Sequence, residues 1–289
     1  MNHDPFIVPT KTKIKLIKDY DPSYKADYLD KAQAASKLQQ DIEKLAALQD
    51  ILYAQNTYAL LVIFQAMDAA GKDGTIKHVM SGINPQGCQV FSFKAPSAEE
   101  LDHDYLWRSM KALPERGRIG IFNRSYYEEV LVARVHPEIL ARQQLPPGTK
   151  KKGIWNQRFQ EINHFEKYLS DNGIVVIKFF LNVSKAAQKK RFMERIEKPE
   201  KNWKFSATDV KERQFWDDYM QSYEDMFNHT STDWAPWYII PADSKWFTRM
   251  VVADILCTRL QALELKYPVL TQEHVQQLQA AKAILEAEP

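Results

Sequence analysis

The chain has 289 residues, of which 45% are hydrophobic and 12% are aromatic, so we expect a stable globular protein with a substantial core. The formal net charge is only +2, so any polyanion has to be bound by a local cluster of cations rather than by the charge of the whole protein. The two cysteines, Cys88 and Cys257, are too few for a disulfide framework or a CxxC metal site, and a reducing cytoplasm is the expected location.

The first residues, MNHDPFIVPTKTK, contain no apolar run as long as that of a signal peptide. The longest apolar stretch, Tyr58–Phe64, has the length of a strand and is too short to span a membrane. We therefore expect a soluble protein without a membrane partner.

Short apolar runs alternate along the chain with amphipathic segments, and no repeat or Gly/Ser linker interrupts them. The first run, TYALLVIF, is apolar throughout, as in a parallel strand that is covered on both faces. The predicted strands are Thr57–Phe64, Cys88–Phe93, Arg118–Phe122, Ile174–Leu181 and Trp237–Ile240. The predicted helices include Ser23–Tyr53, Ala98–Ala112, Ile154–Ser170, Ser184–Ile196, Ser206–Phe227, Trp246–Leu265 and Thr271–Ala287.

Alternating strands and helices predict an α/β fold with three layers, α/β/α, around a five-stranded parallel sheet. A single domain over residues 1–289 is the simplest organisation, with a helical extension over about residues 1–55. The segment His136–Gly153 contains three prolines and is predicted to be a loop, which carries Lys150, Lys151 and Lys152.

A turn that contains glycines follows the first predicted strand, in the sequence LLVIFQAMDAAGKDGTIKHVM. A strand, such a turn and a helix form the context of a phosphate-binding loop, where helix N–H groups and a lysine, here Lys72, contact phosphate oxygens. The predicted phosphate-binding residues are Ala69, Ala70, Gly71, Lys72, Asp73, Gly74 and Thr75. The alternative interpretation is an ordinary strand–turn–helix with a capping aspartate.

The loop departs from the pattern G-x-x-x-x-G-K-[ST] at two positions. Ala66 occupies the place of the first glycine, and Asp73 replaces the Ser or Thr that normally binds magnesium. Asp68 is an unusual anion beside a phosphate site, and its carboxylate is expected to hold Mg²⁺ there, directly or through water.

Polar residues also follow the next two predicted strands. Asn123 and Arg124 come at the end of RIGIF, where the carboxyl ends of parallel strands form a ligand cleft, and the planar guanidinium suits phosphate oxygens. An ion pair between Arg124 and Glu128, four residues later, is an equally supported interpretation. Lys94 follows the second strand and is predicted to contact phosphate at the same edge.

The basic segment SKAAQKKRFMERIEKPEKNWKF is predicted to be a mobile lid over about residues 184–207. Arg191 and Arg195 are four residues apart and share a helix face, so both can neutralise phosphate charge when the lid closes. A solvated charged helix is the alternative, because acidic residues are interleaved. Asp209 follows the lid, as a helix-start residue or as a partner for it.

These motifs, FQAMDAAGKDGTIKHVMSGINPQG, LPERGRIGIFNRSYYEEVLVARVHPE and KKRFMERIEKPEKNWKFSATDVKERQFWDDY, resemble those of the polyphosphate kinase 2 family in order and spacing. The resemblance implies a P-loop kinase fold similar to that of thymidylate kinases, with a helical lid. It implies Mg²⁺ at Asp68, with Mn²⁺ as a substitute, and a homo-oligomeric dimer or tetramer. The near-neutral net charge and the single phosphate site argue against a nucleic-acid partner. By the same resemblance, Asp68, Lys72, Asn123, Arg124 and Arg191 are catalytic; Lys94 contacts polyphosphate; and Arg124, Glu128, Arg134, Arg191, Arg195 and Asp209 bind the nucleotide.

The activity that the resemblance implies is reversible transfer of phosphoryl groups from inorganic polyphosphate to AMP and ADP, with GMP and GDP as further acceptors. Asn123 stands where many members have Asp, and with Glu128 it resembles the subgroup that phosphorylates both nucleoside mono- and diphosphates. Two rivals stay open at this point. One is an ATP-dependent nucleoside or nucleotide kinase, and the other is a non-catalytic polyanion-binding protein.

Overall fold

The structure is a computed structural model that describes residues 1–26, 30–150 and 153–288. Its centre is a sheet of five parallel strands in the order β2-β3-β1-β4-β5. The strands are β1 Ala59–Gln65, β2 Cys88–Ser92, β3 Ile119–Asn123, β4 Ile174–Asn182 and β5 Trp237–Pro241. The five predicted strands are confirmed with small shifts at their ends. Every residue of β1 is buried, because this central strand is covered on both faces.

Helices on both faces of the sheet complete the predicted three-layer α/β/α fold. They are α1 Leu16–Asp19, α2 Lys31–Gln55, α3 Lys72–Val79, α4 Ala98–Leu101, α5 Trp107–Met110, α6 Glu128–Val135, α7 Pro137–Arg142, α8 Ile154–Asp171, α9 Lys185–Glu197, α10 Ala207–Glu212, α11 Trp216–Thr230, α12 Lys245–Gln261 and α13 Gln272–Glu286. On one face α2 and α3 pack against α12, and on the other face α6 and α8 pack against α11. Since all five strands are parallel, their carboxyl ends meet at one edge of the sheet, which is where the site lies.

An N-terminal arm covers the free edge of β5. Ile7 pairs antiparallel with Tyr238, and the backbone N–H of Ile239 donates to the carbonyl of Phe6 at 2.7 Å. The side chains of Phe6 and Val8 are buried in the core. The arm therefore removes one of the two exposed edges that a five-stranded sheet would otherwise present.

The predicted single helix over Ala98–Ala112 is wrong, because the chain forms two short helices, α4 and α5, separated by a turn. The carboxylate of Asp104 accepts a hydrogen bond from the backbone N–H of Leu106 at 2.9 Å, and its carbonyl accepts from Trp107 at 3.1 Å. This local side-chain bond competes with the helical one and ends the periodicity.

The helix predicted over Ser206–Phe227 is also interrupted, by a 3₁₀ turn at Arg213–Phe215 between α10 and α11. The guanidinium of Arg213 donates to the side-chain oxygen of Gln188 at 2.5 Å and to the carbonyl of Lys185 at 3.1 Å. A contact with α9 therefore fixes the break, and such a contact is invisible in the local sequence.

Two other boundaries differ from the predictions. The segment His136–Gly153 is not entirely a loop, since α7 begins in it at a proline, which suits the first position of a helix. The helix predicted from Ser23 begins instead at Lys31, where Asp30 caps it by accepting from the backbone N–H of Gln33 at 2.8 Å. Residues 27–29, which fall within that prediction, and Lys151 and Lys152 lie outside the described residues.

The last helix, α13, is exposed along its whole length, and its apolar side chains include Leu278, Ile284 and Leu285. The buried residues of the hydrophobic core, by contrast, all lie between Phe6 and Leu260 in the sequence. Across the three described ranges, no helix combines the length and apolar character needed to cross a membrane.

Candidate active site

The loop between β1 and α3 has the backbone geometry that anion binding requires. Gly71 adopts φ +112°, a conformation that favours glycine, and the helix begins at the next residue. Because the first N–H groups of a helix have no acceptor within it, they are free to donate to an anion at this end of α3. Ala69 has φ +60°, which is strained for a residue with a side chain. The phosphate-loop interpretation is therefore supported over an ordinary strand–turn–helix.

Lys72 lies inside the loop rather than in solvent. Its ammonium donates to the carbonyl of Ala66 at 2.9 Å, and the residue is only 9% exposed. Burial, followed by the positive charge of Arg124, lowers the pKa of Lys72 below its ordinary value, although Asp68 and other nearby carboxylates oppose the shift. An incoming phosphate would give this ammonium an anionic hydrogen-bond partner in place of the carbonyl of Ala66.

Side chains of α9 brace the loop from behind. The amide of Gln188 donates to the carbonyl of Asp68 at 2.9 Å. The guanidinium of Arg191 donates to the carbonyls of Ala69 and Ala70 at 3.0 and 2.6 Å, and to those of Ala242 and Asp243, just after β5, at 2.5 and 3.2 Å. These bonds tie the loop to α9 and to the chain just after β5, and they satisfy the carbonyls of Asp68, Ala69 and Ala70.

Arg124 pairs across the cleft with the loop. Its guanidinium contacts the carboxylate of Asp68 at 2.7 Å, so Asp68 and not Glu128 is its partner in the structure. Burial alone would lower the pKa of Arg124, but the carboxylates of Glu128 and Asp68 outweigh it and raise the pKa. Arg124 adopts φ +64°, and its backbone N–H continues the sheet by donating to the carbonyl of Phe64 at 3.0 Å.

Asn123 is the last residue of β3 and also faces the loop. Its side-chain amide donates to the carboxylate of Asp73 at 2.8 Å. The residue that replaces the usual Ser or Thr is therefore held by the residue that replaces the usual Asp. Asn123 and Asp73, which both differ from the residues usual at their positions, are therefore hydrogen-bonded to each other.

A cavity of about 870 Å³ opens in front of the loop and collects most of the predicted site. Its walls contain all of Asp68–Thr75, the side chains after β2 and β3, and part of the lid. The predicted residues in the walls are Asp68, Ala69, Ala70, Gly71, Lys72, Asp73, Gly74, Thr75, Lys94, Asn123, Arg124, Arg191, Arg195 and Asp209. Cations of α3 and α9 and of the turns after β2 and β3 thus face one space.

The lid segment folds over one side of this cavity. After α9 the chain forms a 3₁₀ helix, Pro199–Lys204, which places Trp203 in the wall with 78% of the residue exposed. The guanidinium of Arg195 lies 3.4 Å from the carboxylate of Asp209, so the predicted partner of the lid is in contact with it. Burial, followed by the charge of Asp68, raises the pKa of Asp209.

Two predicted nucleotide-binding residues are outside the cavity wall. Arg134 lies further along α6 and pairs with Asp225 of α11 at 2.6 Å, so the structure does not bring it to the loop. Glu128 begins α6, is partly buried and acts on the site through its charge on Arg124.

Sequence reasoning missed a group of residues at the start of α12. Lys245, Thr248 and Arg249 line the cavity, and a terminal nitrogen of Arg249 lies 3.7 Å from the position of a Cβ on Gly74. The Nε atom of Arg249 is buried without a hydrogen-bond partner among the described residues. Burial lowers the pKa of Lys245 and that of Arg249. The available signal was their position after the last strand, since that helix starts at the same edge as the loop.

Comparison with known proteins agrees with this geometry. The family described as Polyphosphate kinase 2 matches residues 28–268. The chain is 56% identical over 235 residues to the ADP-polyphosphate phosphotransferase of Rhodopseudomonas palustris, covering 81% of each protein. It is 42% identical over 253 residues to the AMP/ADP-polyphosphate phosphotransferase of Meiothermus ruber, covering 87% of this chain and 91% of that protein.

A solved structure shares the fold over nearly the whole length. The crystal structure of polyphosphate kinase 2 from Arthrobacter aurescens superposes with a TM-score of 0.85 at 38% identity, covering 96% of both chains. The part of the chain that the family matches includes the phosphate loop, Arg124 and the lid, all of which face the same cavity. The chain is therefore a member of the polyphosphate kinase 2 family.

Proposed function

We propose that this enzyme transfers the terminal phosphoryl group of inorganic polyphosphate to AMP and ADP, giving ADP and ATP, and that the reaction is reversible. GMP and GDP are proposed as further acceptors. The observation that carries the proposal is the cavity in front of the loop, where cations from α3, α9 and α12 and from the turns after β2 and β3 line one space with Asp68. The relatives support the choice of donor and acceptor, because those from Rhodopseudomonas palustris and Meiothermus ruber are named for polyphosphate and for ADP or AMP/ADP.

The loop and Lys72 are proposed to hold the end of the polyphosphate chain. Binding there would let the ammonium leave the carbonyl of Ala66 and contact a phosphate oxygen instead. Arg124 and Arg195 are proposed to contact the oxygens of the transferred group from the other sides, and Lys94 to contact the chain further out. The acceptor phosphate is already an anion, so in-line transfer needs no strong general base.

We propose Mg²⁺, with Mn²⁺ as a substitute, as the metal that Asp68 holds. The donor set fits, because Asp68 presents a carboxylate to the cavity and Mg²⁺ is usually held by one or two carboxylates together with substrate phosphates. Within the described ranges, no cluster of three or more His, Cys, Asp or Glu residues forms an all-protein cage. When bound, the ion would neutralise negative charge on donor and acceptor phosphates.

The donor distinguishes this function from that of an ATP-dependent kinase. The purified protein is incubated with Mg²⁺ and AMP or ADP, with either polyphosphate or ATP as the donor, and the nucleotide products are measured. We expect ADP and ATP to form with polyphosphate. Transfer from ATP to a nucleoside or nucleotide, without any from polyphosphate, would contradict the proposal.

Two substitutions test the assignment of the loop. We expect Lys72→Ala and Asp68→Asn each to lower kcat by two or more orders of magnitude. Lys72 would neutralise charge on the phosphates directly, whereas Asp68 would hold the Mg²⁺ that neutralises it. Lys77→Ala is the matched control, because Lys77 is exposed on the same helix and does not line the cavity. Unfolding by denaturant should show that all three variants are folded. Rates like that of the wild type in Lys72→Ala or Asp68→Asn would refute the site.

We also propose a homo-oligomer, a dimer or tetramer, that works in the cytoplasm. The exposed apolar side chains of α13 support association, and the free thiols of Cys88 and Cys257 support a reducing compartment.

A further inference from the structure

A buried cluster of polar side chains lies directly beneath the turn that carries Arg124. The hydroxyls of Tyr126 and Tyr127 both donate to one oxygen of Glu166, at 2.8 and 2.7 Å. Glu166 belongs to α8 and is completely buried, and both tyrosines are at most 2% exposed. One carboxylate therefore holds two consecutive residues of the turn.

Lys178 of β4 completes the cluster. Its ammonium donates to the second oxygen of Glu166 at 2.6 Å, to the hydroxyl of Tyr127 at 2.8 Å and to the carbonyl of Thr230 at 2.7 Å. All three donors of the ammonium are thus used, although the residue is completely buried. Burial lowers the pKa of Lys178 to about 8, against the influence of Glu166. Taking a lysine and a glutamate out of water is costly, and fold stability alone is a weak reason to keep such a pair.

The path of the chain connects this cluster to the site. Only three residues, Ser125, Tyr126 and Tyr127, separate Arg124 from Glu128, and all three are anchored in the core. The hydroxyl of Ser125 accepts from the side chain of Gln65 at 3.2 Å and from the backbone N–H of Tyr127 at 3.2 Å. Tyr127 is the N-cap residue of α6, immediately before Glu128, so its position sets the place of Glu128.

Arg124 needs such an anchor because its backbone is strained. A left-handed conformation in a residue with a side chain persists only where the surroundings hold it. The ion pair with Asp68 cannot do this alone, since that pair is partly exposed and the site has to exchange it for substrate contacts. The residues that form the bonds beneath the turn do not line the cavity, so substrate contacts do not have to replace these bonds.

We propose that Glu166 and Lys178, acting through the two tyrosine hydroxyls, are positioning residues that set where Arg124 and Glu128 stand over the phosphate loop. Neither residue touches substrate. Their effect falls on acceptor binding and transfer, because misplacing a phosphate-binding side chain by about 1 Å can cost a factor of about 100 in rate. This inference rests on the proposed function for its activity assay.

Tyr127→Phe tests the proposal with a small perturbation. The substitution removes one hydroxyl and keeps the ring, which packs at 4.8 Å against Trp237. We expect kcat/KM for ADP to fall by about 10- to 100-fold in a folded protein. Tyr20→Phe is the matched control, since it also removes one hydroxyl bond, to the carbonyl of Ile7 at 2.9 Å, and Tyr20 contacts neither the cluster nor the cavity wall. If Tyr127→Phe does not fold, Tyr126→Phe removes the other hydroxyl in its place.

A double-mutant cycle shows whether the effect passes through Arg124. In an Arg124→Lys background we expect Tyr127→Phe to cost about threefold or less, because the group being positioned is already lost. Equal costs in both backgrounds, or equal kcat/KM for Tyr127→Phe and Tyr20→Phe, would overturn the proposal.

ADP affinity, measured by calorimetry without a phosphoryl donor, keeps the test independent of the proposed function. A wild type that binds ADP but does not use polyphosphate refutes the function, whereas undiminished ADP affinity and turnover in Tyr127→Phe refute the positioning role.

Discussion

Replacing Arg191 distinguishes two possible roles, because only one of them predicts a loss of protein stability. In the sequence-based interpretation this residue is a lid arginine that contacts substrate, whereas in the structure its guanidinium donates to four backbone carbonyls. Two of the four belong to Ala70 and Ala242, which are 2% and 0% exposed, so water cannot easily replace the lost donor there. Each buried acceptor left without a partner costs about 1–3 kcal/mol, so Arg191→Ala should destabilise the protein by about 2–6 kcal/mol.

The measurement is urea unfolding of wild type and variant, with polyphosphate-dependent kinetics on the same samples. We expect Arg191→Ala to lose stability and activity together, because the loop loses its brace. Arg191→Lys should recover part of the stability, since an ammonium can reach only some of the four carbonyls.

Arg195→Ala is the matched control on the same helix. Arg195 is more exposed, and its contacts with the carbonyl of Lys204 and the carboxylate of Asp209 are long, at 3.3 and 3.4 Å. Its loss should cost less than about 1 kcal/mol of stability while still lowering activity. If Arg191→Ala instead lost activity with its unfolding midpoint unchanged, the bracing role would be refuted and direct substrate contact would be favoured.

Two further predictions follow from charges near and far from the loop. Glu128→Ala should raise the rate with ADP relative to AMP by about threefold or more, because removing this carboxylate beside Arg124 favours the more negative acceptor; an unchanged ratio would remove Glu128 from acceptor choice. Burial alone would raise the pKa of Asp254, but hydrogen bonds from His3, Lys37 and the N-terminal amine outweigh it and hold the pKa far below the ordinary 3.8. The unfolded state therefore binds the proton first, so the stability that Asp254 provides should be lost as pH falls below about 4, and Asp254→Asn should flatten the acid limb of unfolding midpoint against pH.

The sheet could be predicted because its signal is local. A continuous apolar run such as TYALLVIF is explained by burial on both faces, and each predicted strand reappears in the structure. The helix break at Asp104 also has a local cause, the turn that its side chain forms. It was not predicted because the residues on both sides have helical periodicity. The break at Arg213 could not be found this way, because it depends on contacts with α9.

The site residues also fall into those that the local sequence predicts and those that depend on distant contacts. Asp68, Lys72 and Arg124 each follow directly from a strand end, and the carboxyl ends of parallel strands meet at one edge. The pairing of Asn123 with Asp73 joins residues 50 apart in the sequence, so no motif reveals it. Arg249 lies further still from the loop in sequence, and only the packing of α12 beside α3 brings it there.

The arm that covers β5 has a consequence for how the protein is made. The hydroxyl of Ser231, at the end of α11, donates to the carbonyl of Val8 at 2.8 Å, and these residues are 223 apart in the sequence. On the ribosome the arm emerges early, yet its strand partner at Tyr238 is synthesised only near the end of the core. Closing so long a loop is slow compared with forming local contacts. The apolar side chains of Phe6 and Val8 therefore lack their final partners during most of translation. Docking of the arm should be among the last steps of folding.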